Sequence, residues 1–208
     1  MKLKSILLTS LIAGTGLALV TSCSEESRLA KSLPGEWSGA PQTITDNDAL
    51  TASLIETVTV GQPTPADKIG GDLSVNGVVS ATTQLVADSS FTEPVTVSVG
   101  AIASVSGTWK VIDDDEVVVS FDPSTLSVSV DPEALSFTNV MAGGEEGRAR
   151  LDGMRAGFCD MIKASVTQAL RHRYSGSRTL DDVKVKKGSV LKFEIGKTDY
   201  VYHAVPEN

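Results

Sequence analysis

The strongest constraint on the fold is an alternation of apolar and polar side chains between residues 33 and 137. Apolar residues recur at even spacing in five segments: Leu54, Val58 and Val60; Leu73 and Val75; Val95, Val97 and Val99; Val117, Val119 and Phe121; Leu126, Val128 and Val130. Most intervening positions hold Thr, Ser, Asp or Lys, as expected for strands with one buried and one wet face. The pattern predicts an antiparallel sheet system.

Turn-forming residues separate these segments. Asn76-Gly77 readily takes the positive φ angles of a two-residue hairpin turn, and Asp113-Asp114-Asp115 lies between two apolar runs. We therefore predict a hairpin at each place. Pro123 and Pro132 are expected to bracket a further strand, because proline interrupts the hydrogen-bond ladder of a sheet.

A different period marks residues 145–174. Apolar side chains recur there at three- and four-residue steps, opposite a charged face: Leu151, Met154, Phe158, Met161, Ile162, Val166, Ala169 and Leu170. This spacing predicts one long amphipathic helix. Alternation returns after Val183 and predicts two or three closing strands. The fold class is thus mainly β, an antiparallel β-barrel or a β-sandwich with one long α-helix inserted before the last strands.

The first 22 residues have the order of a secretory signal. Lys2 and Lys4 precede an apolar stretch from Ile6 to Val20, which is shorter than the about 20 residues that a membrane-spanning helix needs. Val20-Thr21-Ser22-Cys23 then resembles the lipobox of bacterial lipoproteins. The resemblance implies a signal peptide over residues 1–22, cleavage before Cys23 and attachment of lipid to that cysteine.

Residues 23–32 are polar and charged, so we expect a lipidated tether followed by a single domain over 33–208. Two or more acyl chains hold a protein durably, since each buried methylene contributes about 0.8 kcal/mol. By similarity to lipoprotein sorting patterns, Ser24 in place of Asp favours the outer membrane. Glu25-Glu26 resembles the acidic surface-export tag of Bacteroidetes lipoproteins, which favours the surface-exposed over the periplasmic leaflet.

The charge balance excludes one class of partner. The net charge of the whole chain is −8, and loss of residues 1–22 removes two lysines and no acid, which makes it −10. Phosphate backbones are bound largely through Lys and Arg, so nucleic acid is not expected as a partner. Cys159 would be the only cysteine besides Cys23, so the domain is expected to fold without an internal disulfide.

Two short motifs carry a further resemblance. Leu33-Pro34-Gly35-Glu36-Trp37 is similar to the Gly-x-Trp opening strand of lipocalin-like lipoproteins, and Ser106 to Val111 is similar to their meander strands. The resemblance implies an up-and-down barrel that binds a small apolar or amphipathic ligand. The chain departs from the usual lipocalin order, because two or three strands follow its long helix, and this departure leaves closure of the barrel open.

Few residues carry the pattern of a catalytic or metal site. The two histidines, His172 and His203, have no partner in a recognisable motif, and Arg171-His172-Arg173 is interpreted as a solvated helix end. The acidic runs are interpreted as solvated turns: Asp113 to Glu116, Asp46-Asn47-Asp48 and Asp181-Asp182. Cys159 is expected as a small buried hydrophobe and both tryptophans, Trp37 and Trp109, as core residues. We expect no cofactor, no metal and no catalytic residue.

The sequence therefore leads to a first hypothesis of a non-catalytic, lipid-anchored outer-membrane protein that binds a small ligand. The alternative is a structural or interaction subunit of a cell-envelope or surface complex, which the aromatic content of 5% favours. An enzyme is the third hypothesis, and it requires His172 or His203 beside a carboxylate in a cleft.

Overall fold

A computed structural model describes residues 25–85, 94–138 and 144–206. The predicted signal peptide and Cys23 lie outside these ranges. The helices are α1 (Glu25–Ser32) and α2 (Gly144–Arg173), with a short 3-10 helix at Pro132–Ala134. The strands in the described part are β1 (Gly35–Gly39), β2 (Gln42–Asn47), β3 (Leu50–Val60), β4 (Gly70–Leu85), β5 (Val95–Val111), β6 (Val117–Val130), β7 (Ser136–Phe137), β8 (Ser177–Lys186), β9 (Val190–Ile195) and β10 (Thr198–Ala204).

The strands form one antiparallel sheet whose ends meet. Neighbours follow the order β1-β10-β9-β8-β6-β5-β4-β3, and β1 pairs with β3 as well as with β10. Trp37 is thus opposite Ala204 on one side and Val58 on the other. The mainly antiparallel β fold with one long helix before the last strands is confirmed, and the pairings close into a ring of eight strands.

Strand pairing closes the ring over only part of the length of the strands, and α2 covers the remaining length. Beyond Ser120, β6 has no pairing with β8, and β2 pairs only with β3. Helix α2 packs against both β6 and β2. The helix therefore fills the gap where two strand edges diverge, with Phe158, Ile162 and Val166 buried against the sheet.

Burial follows this division. One core cluster lies between α2 and the long strands β3, β4 and β5, and a second lies between those strands and β8, β9 and β10. The strands alternate as predicted: Val95, Val97 and Val99 are buried, whereas Gly100 and Ile102 face out. Neither helix in the described ranges is apolar over a length that a membrane crossing would require.

Residues 25–32, which belong to the predicted tether, are helical. They form α1, with Glu25 and Glu26 in its first turn and Lys31 in its last, an arrangement that complements the helix dipole. Leu29 and Ala30 are buried and join the second core cluster. Burial of this apolar pair, together with Leu33, stabilises the contact of α1 with the ring.

The prediction of a hairpin at Asn76-Gly77 is wrong. Strand β4 runs through both residues without a break, and Gly77 lies between Glu56 of β3 and Ala103 of β5. Close packing explains the glycine at this position, because a Cβ at Gly77 would lie 2.6 Å from Cδ1 of the buried Leu54. The other predicted hairpin is confirmed, since Asp113 to Asp115 connect β5 and β6.

We predict opposite effects for two glycine substitutions in this sheet. Gly77→Ala should lower the free energy of unfolding by about 1–3 kcal/mol, because the added methyl overpacks the core at Leu54. Gly100→Ala is the matched control, since nothing lies within 4 Å of its Cβ position. It should be neutral or stabilising by up to about 1 kcal/mol. Urea unfolding of both variants measures the difference, and equal stabilities would contradict the packing explanation.

Candidate functional site

A cavity of about 90 Å³ lies inside the ring, lined mainly by residues of the second core cluster. Its walls are mostly apolar side chains of β3, β4, β6, β8 and β9, such as Val58, Val75, Val119 and Phe193. Leu33, which follows α1, contributes to the lining, as does Tyr174, which follows α2. Both segments that cap the strands therefore border the same internal space.

A buried carboxylate, Glu56 of β3, borders the cavity and is 5% exposed. Arg173 donates to it from Nε (2.8 Å) and Nη2 (2.7 Å), which forms a bidentate pair. The hydroxyls of Tyr174 (2.6 Å) and Tyr202 (2.7 Å) also donate to it. Nη2 of Arg173 donates in addition to Oε1 of Gln42 at 2.8 Å. We call these five residues the Glu56 cluster.

The charges in the cluster stabilise one another. Burial raises the pKa of the Glu56 carboxyl, but the hydrogen bonds and charge of Arg173, with both tyrosine hydroxyls, outweigh it and hold that pKa below 4.5. Burial alone would lower the pKa of the Arg173 guanidinium. The hydrogen bonds and charge of Glu56 raise that pKa by a larger amount, so the net shift is upward. Burial and the nearby carboxylate together raise the pKa of the Tyr174 and Tyr202 hydroxyls. The cluster therefore holds one ion pair and two neutral phenols at pH 7.

Two other polar groups line the cavity. Arg178 of β8 lies on the inner face and is partly buried, and its guanidinium forms no hydrogen bond or ion pair with any described residue. Trp109 of β5 is 2% exposed, and its Nε1 has no hydrogen-bond partner in the described part of the chain. Both groups are donors that the fold itself does not use.

The structure brings none of the predicted candidates for chemistry into the cavity. His172 and His203 are exposed, and neither lines it. Within the described ranges, no three His, Cys, Asp or Glu side chains converge on a point that suits a metal ion. The acidic runs lie at the surface: Asp46 to Asp48 join β2 to β3, Asp113 to Glu116 join β5 to β6, and Asp181-Asp182 lie at an irregularity in β8.

The core predictions agree with the structure. Trp37 and Trp109 are each 2% exposed, and Nε1 of Trp37 donates to the carbonyl oxygen of Leu33 at 2.8 Å. Cys159 is 6% exposed, and burial raises the pKa of its thiol. A raised pKa disfavours the thiolate that a nucleophile needs.

Sequence reasoning missed the Glu56 cluster. The interpretation of Arg173 as part of a solvated helix end is wrong, because its guanidinium is paired with Glu56. One signal was available in the sequence. Glu56 lies in phase with the inward-facing Leu54 and Val58, so the alternation predicts that its carboxylate faces the inside of the ring. Its partners carried no local signal, because Arg173 and Tyr202 are 117 and 146 residues away along the chain.

Comparison with known proteins adds no assignment. No protein-family model, no curated protein and no solved structure matches this chain.

We predict that Glu56→Gln destabilises the fold by about 3–5 kcal/mol at pH 7, because it leaves the Arg173 charge buried without a counterion. Tyr202→Phe removes a single donor and should cost about 1–2 kcal/mol. Glu36→Gln is the control, since Glu36 is exposed on β1, and it should change stability by less than about 0.5 kcal/mol. Urea unfolding measures all three.

The same measurement has a pH dependence of known sign. Because the pKa of Glu56 is lower in the folded state, its stabilising contribution is present above pH 4.5 and is lost as the pH falls through the folded pKa. The stability difference between the wild type and Glu56→Gln should therefore be constant from pH 7 to 5 and shrink below 4.5. A difference that stays constant down to pH 3 would show that the pKa of Glu56 is not lowered in the folded state.

Proposed function

We propose that this protein is a non-catalytic, lipid-anchored binding protein of the outer membrane whose ring cavity takes a small apolar or amphipathic molecule. The observation that carries the proposal is an apolar cavity inside the ring bordered by one charged side chain, Arg178, whose guanidinium has no partner among the described residues. Small-molecule sites combine such apolar walls with a few polar groups that fix orientation.

The size of the cavity limits the ligand. An engineered apolar cavity of about 150 Å³ holds benzene, whereas a water needs about 10–15 Å³. A cavity of about 90 Å³ is smaller and therefore holds a chain of about four carbons, or that much of the end of a longer chain. A bulky multi-ring ligand would require the walls to move apart.

The chemistry of the lining supports binding over catalysis. General acid–base work needs a group whose pKa lies near the working pH. The carboxyl of Glu56, the only acid in the lining, accepts four hydrogen bonds and has a lowered pKa. It is a poor proton carrier at neutral pH.

The proposed anchor gives the ring an orientation. Only one residue separates Cys23 from α1, and the buried Leu29 fixes α1 on the ring. Two extended residues span about 7 Å. Acyl chains on Cys23 would therefore keep the α1 end of the ring against the lipid headgroups, with Leu33 of the cavity lining close behind.

An interaction role has one observation in its favour. Ile55, Val78 and Ile102 are cross-strand neighbours in one row on the outer face of β3, β4 and β5, with exposures of 39%, 59% and 65%. Single exposed aliphatic side chains are normal on soluble proteins, and a short row surrounded by Ser and Thr stays small. The cavity is the more specific feature.

We predict that 1-hexanol binds the purified protein and that Val75→Leu weakens this binding about tenfold, because the added methylene occupies cavity space. Val78→Leu is the matched control: it lies on the same strand but faces solvent, so its affinity should equal that of the wild type. Isothermal titration calorimetry, supported by Trp109 fluorescence, measures the dissociation constants. No binding by the wild type, or equal weakening by both variants, would contradict a ligand site in the ring.

The anchor is tested separately. Cys23→Ser should abolish incorporation of a labelled fatty acid and move the protein from the membrane to the soluble fraction, since Cys23 is the proposed attachment point of the acyl chains. Cys159→Ser is the control, because Cys159 is buried in the domain, and it should keep full labelling. Labelling that persists in Cys23→Ser would overturn the lipoprotein assignment without touching the cavity.

A further inference from the structure

The charged groups that border the cavity do not cancel. They are Glu56, Arg173 and Arg178, which carry −1, +1 and +1 at pH 7. Glu56 and Arg173 neutralise each other through their bidentate pair. The lining of an acidic protein thus retains one positive charge, and Arg178 carries it.

Strand pairing places Arg178 on the cavity wall. Directly opposite residues of neighbouring strands share a face of the sheet, and Trp109 lies opposite Val119, which lies opposite Arg178. Trp109 and Val119 are buried, so the row faces inward. Exposed Ser177 and Thr179 flank Arg178 along β8 and face the other side.

Arg178 lacks the partner that its position calls for. An arginine on an inner wall is desolvated in part, and such groups are normally paired with a carboxylate. The one carboxylate in the lining is saturated by Arg173, Tyr174 and Tyr202. The Arg178 guanidinium has no hydrogen-bond or ion-pair partner within the described ranges, and its five N–H donors match the two oxygens of a carboxylate.

A second donor in the same row is also unused. The indole Nε1 of Trp109 is fully enclosed and without a partner in the described residues, which costs about 1–3 kcal/mol unless an acceptor arrives. A water molecule cannot reach this atom from the cavity, so it takes no part in binding a ligand there. The row Trp109–Val119–Arg178 therefore offers a ligand one donor group, the Arg178 guanidinium.

We propose that the ligand is a short-chain monocarboxylate, bound with its carboxylate on the Arg178 guanidinium and its apolar chain inside the ring. This inference rests on the proposed ligand-binding function and specifies its chemistry. The competing explanation is that the stem of Arg178 merely covers apolar surface while its head lies in water. The two explanations differ in whether the site distinguishes an anion from a neutral molecule of the same length.

The experiment compares hexanoate with 1-hexanol, which share a six-carbon chain, by calorimetry on the purified protein at pH 7. Hexanoate should bind at least about tenfold more tightly than hexanol, because charge-assisted bidentate hydrogen bonds form only with the carboxylate. Arg178→Gln should abolish that preference, and Arg178→Lys should restore part of it, because the charge returns without the planar fork. Arg171→Gln, which removes an equal charge from the exposed face of α2, should leave the preference intact.

The outcomes separate this inference from the function on which it rests. Hexanol binding as tightly as hexanoate to the wild type overturns the carboxylate inference and leaves the ligand cavity standing. A preference that survives in folded Arg178→Gln also overturns it. Binding of neither probe by the wild type overturns the proposed function itself. The wild-type ratio decides the question even if melting curves show that Arg178→Gln fails to fold.

Discussion

The arrangement of the molecule depends on how one buried carboxylate is neutralised. Glu56 lies at an inward position of β3, where an unpaired charge would be too costly to keep. Its four donors come from the end of α2, from Tyr174 just beyond it and from β10, and Gln42 of β2 joins through Arg173. Glu56 can therefore be buried only when α2 and β10 are both in place. Closure of the ring by the helix and closure by the strands thus depend on each other.

Those two closures explain why space remains inside. The wall formed by β3, β4, β5 and β6 is covered over one part of its length by α2 and over the other by β8, β9, β10 and β1. Side chains are fully buried in both parts, such as Ile162 of α2 and Val111 of β5. At the junction the Glu56 cluster takes the place of apolar side chains, and the cavity lies beside it.

Local patterns predicted the elements, and distant contacts decided the rest. Alternation identified the long strands and a period near 3.6 identified α2, because each reports how one segment meets water and core. Asn76-Gly77 misled, since the turn preference of a dipeptide is weaker than the ladder and the Leu54 packing that hold β4 straight. Glu56 was detectable as a charge in an apolar phase, whereas its partners and the unpaired state of Arg178 emerge only when segments separated by more than a hundred residues meet.

The pairing of β1 with β10 has a consequence for how the chain acquires its structure. The first strand of the ring finds its second neighbour only in the last strand, so the seam closes through contacts among the most distant in sequence. Contacts of such long range slow folding, because the intervening chain must be ordered before they form. A chain that emerges N-terminus first holds Glu56 without Tyr202 and leaves the edge of β1 open until its final residues are free. Removal of Tyr202 to Ala204, which pair with β1, would then open the seam rather than fray an end.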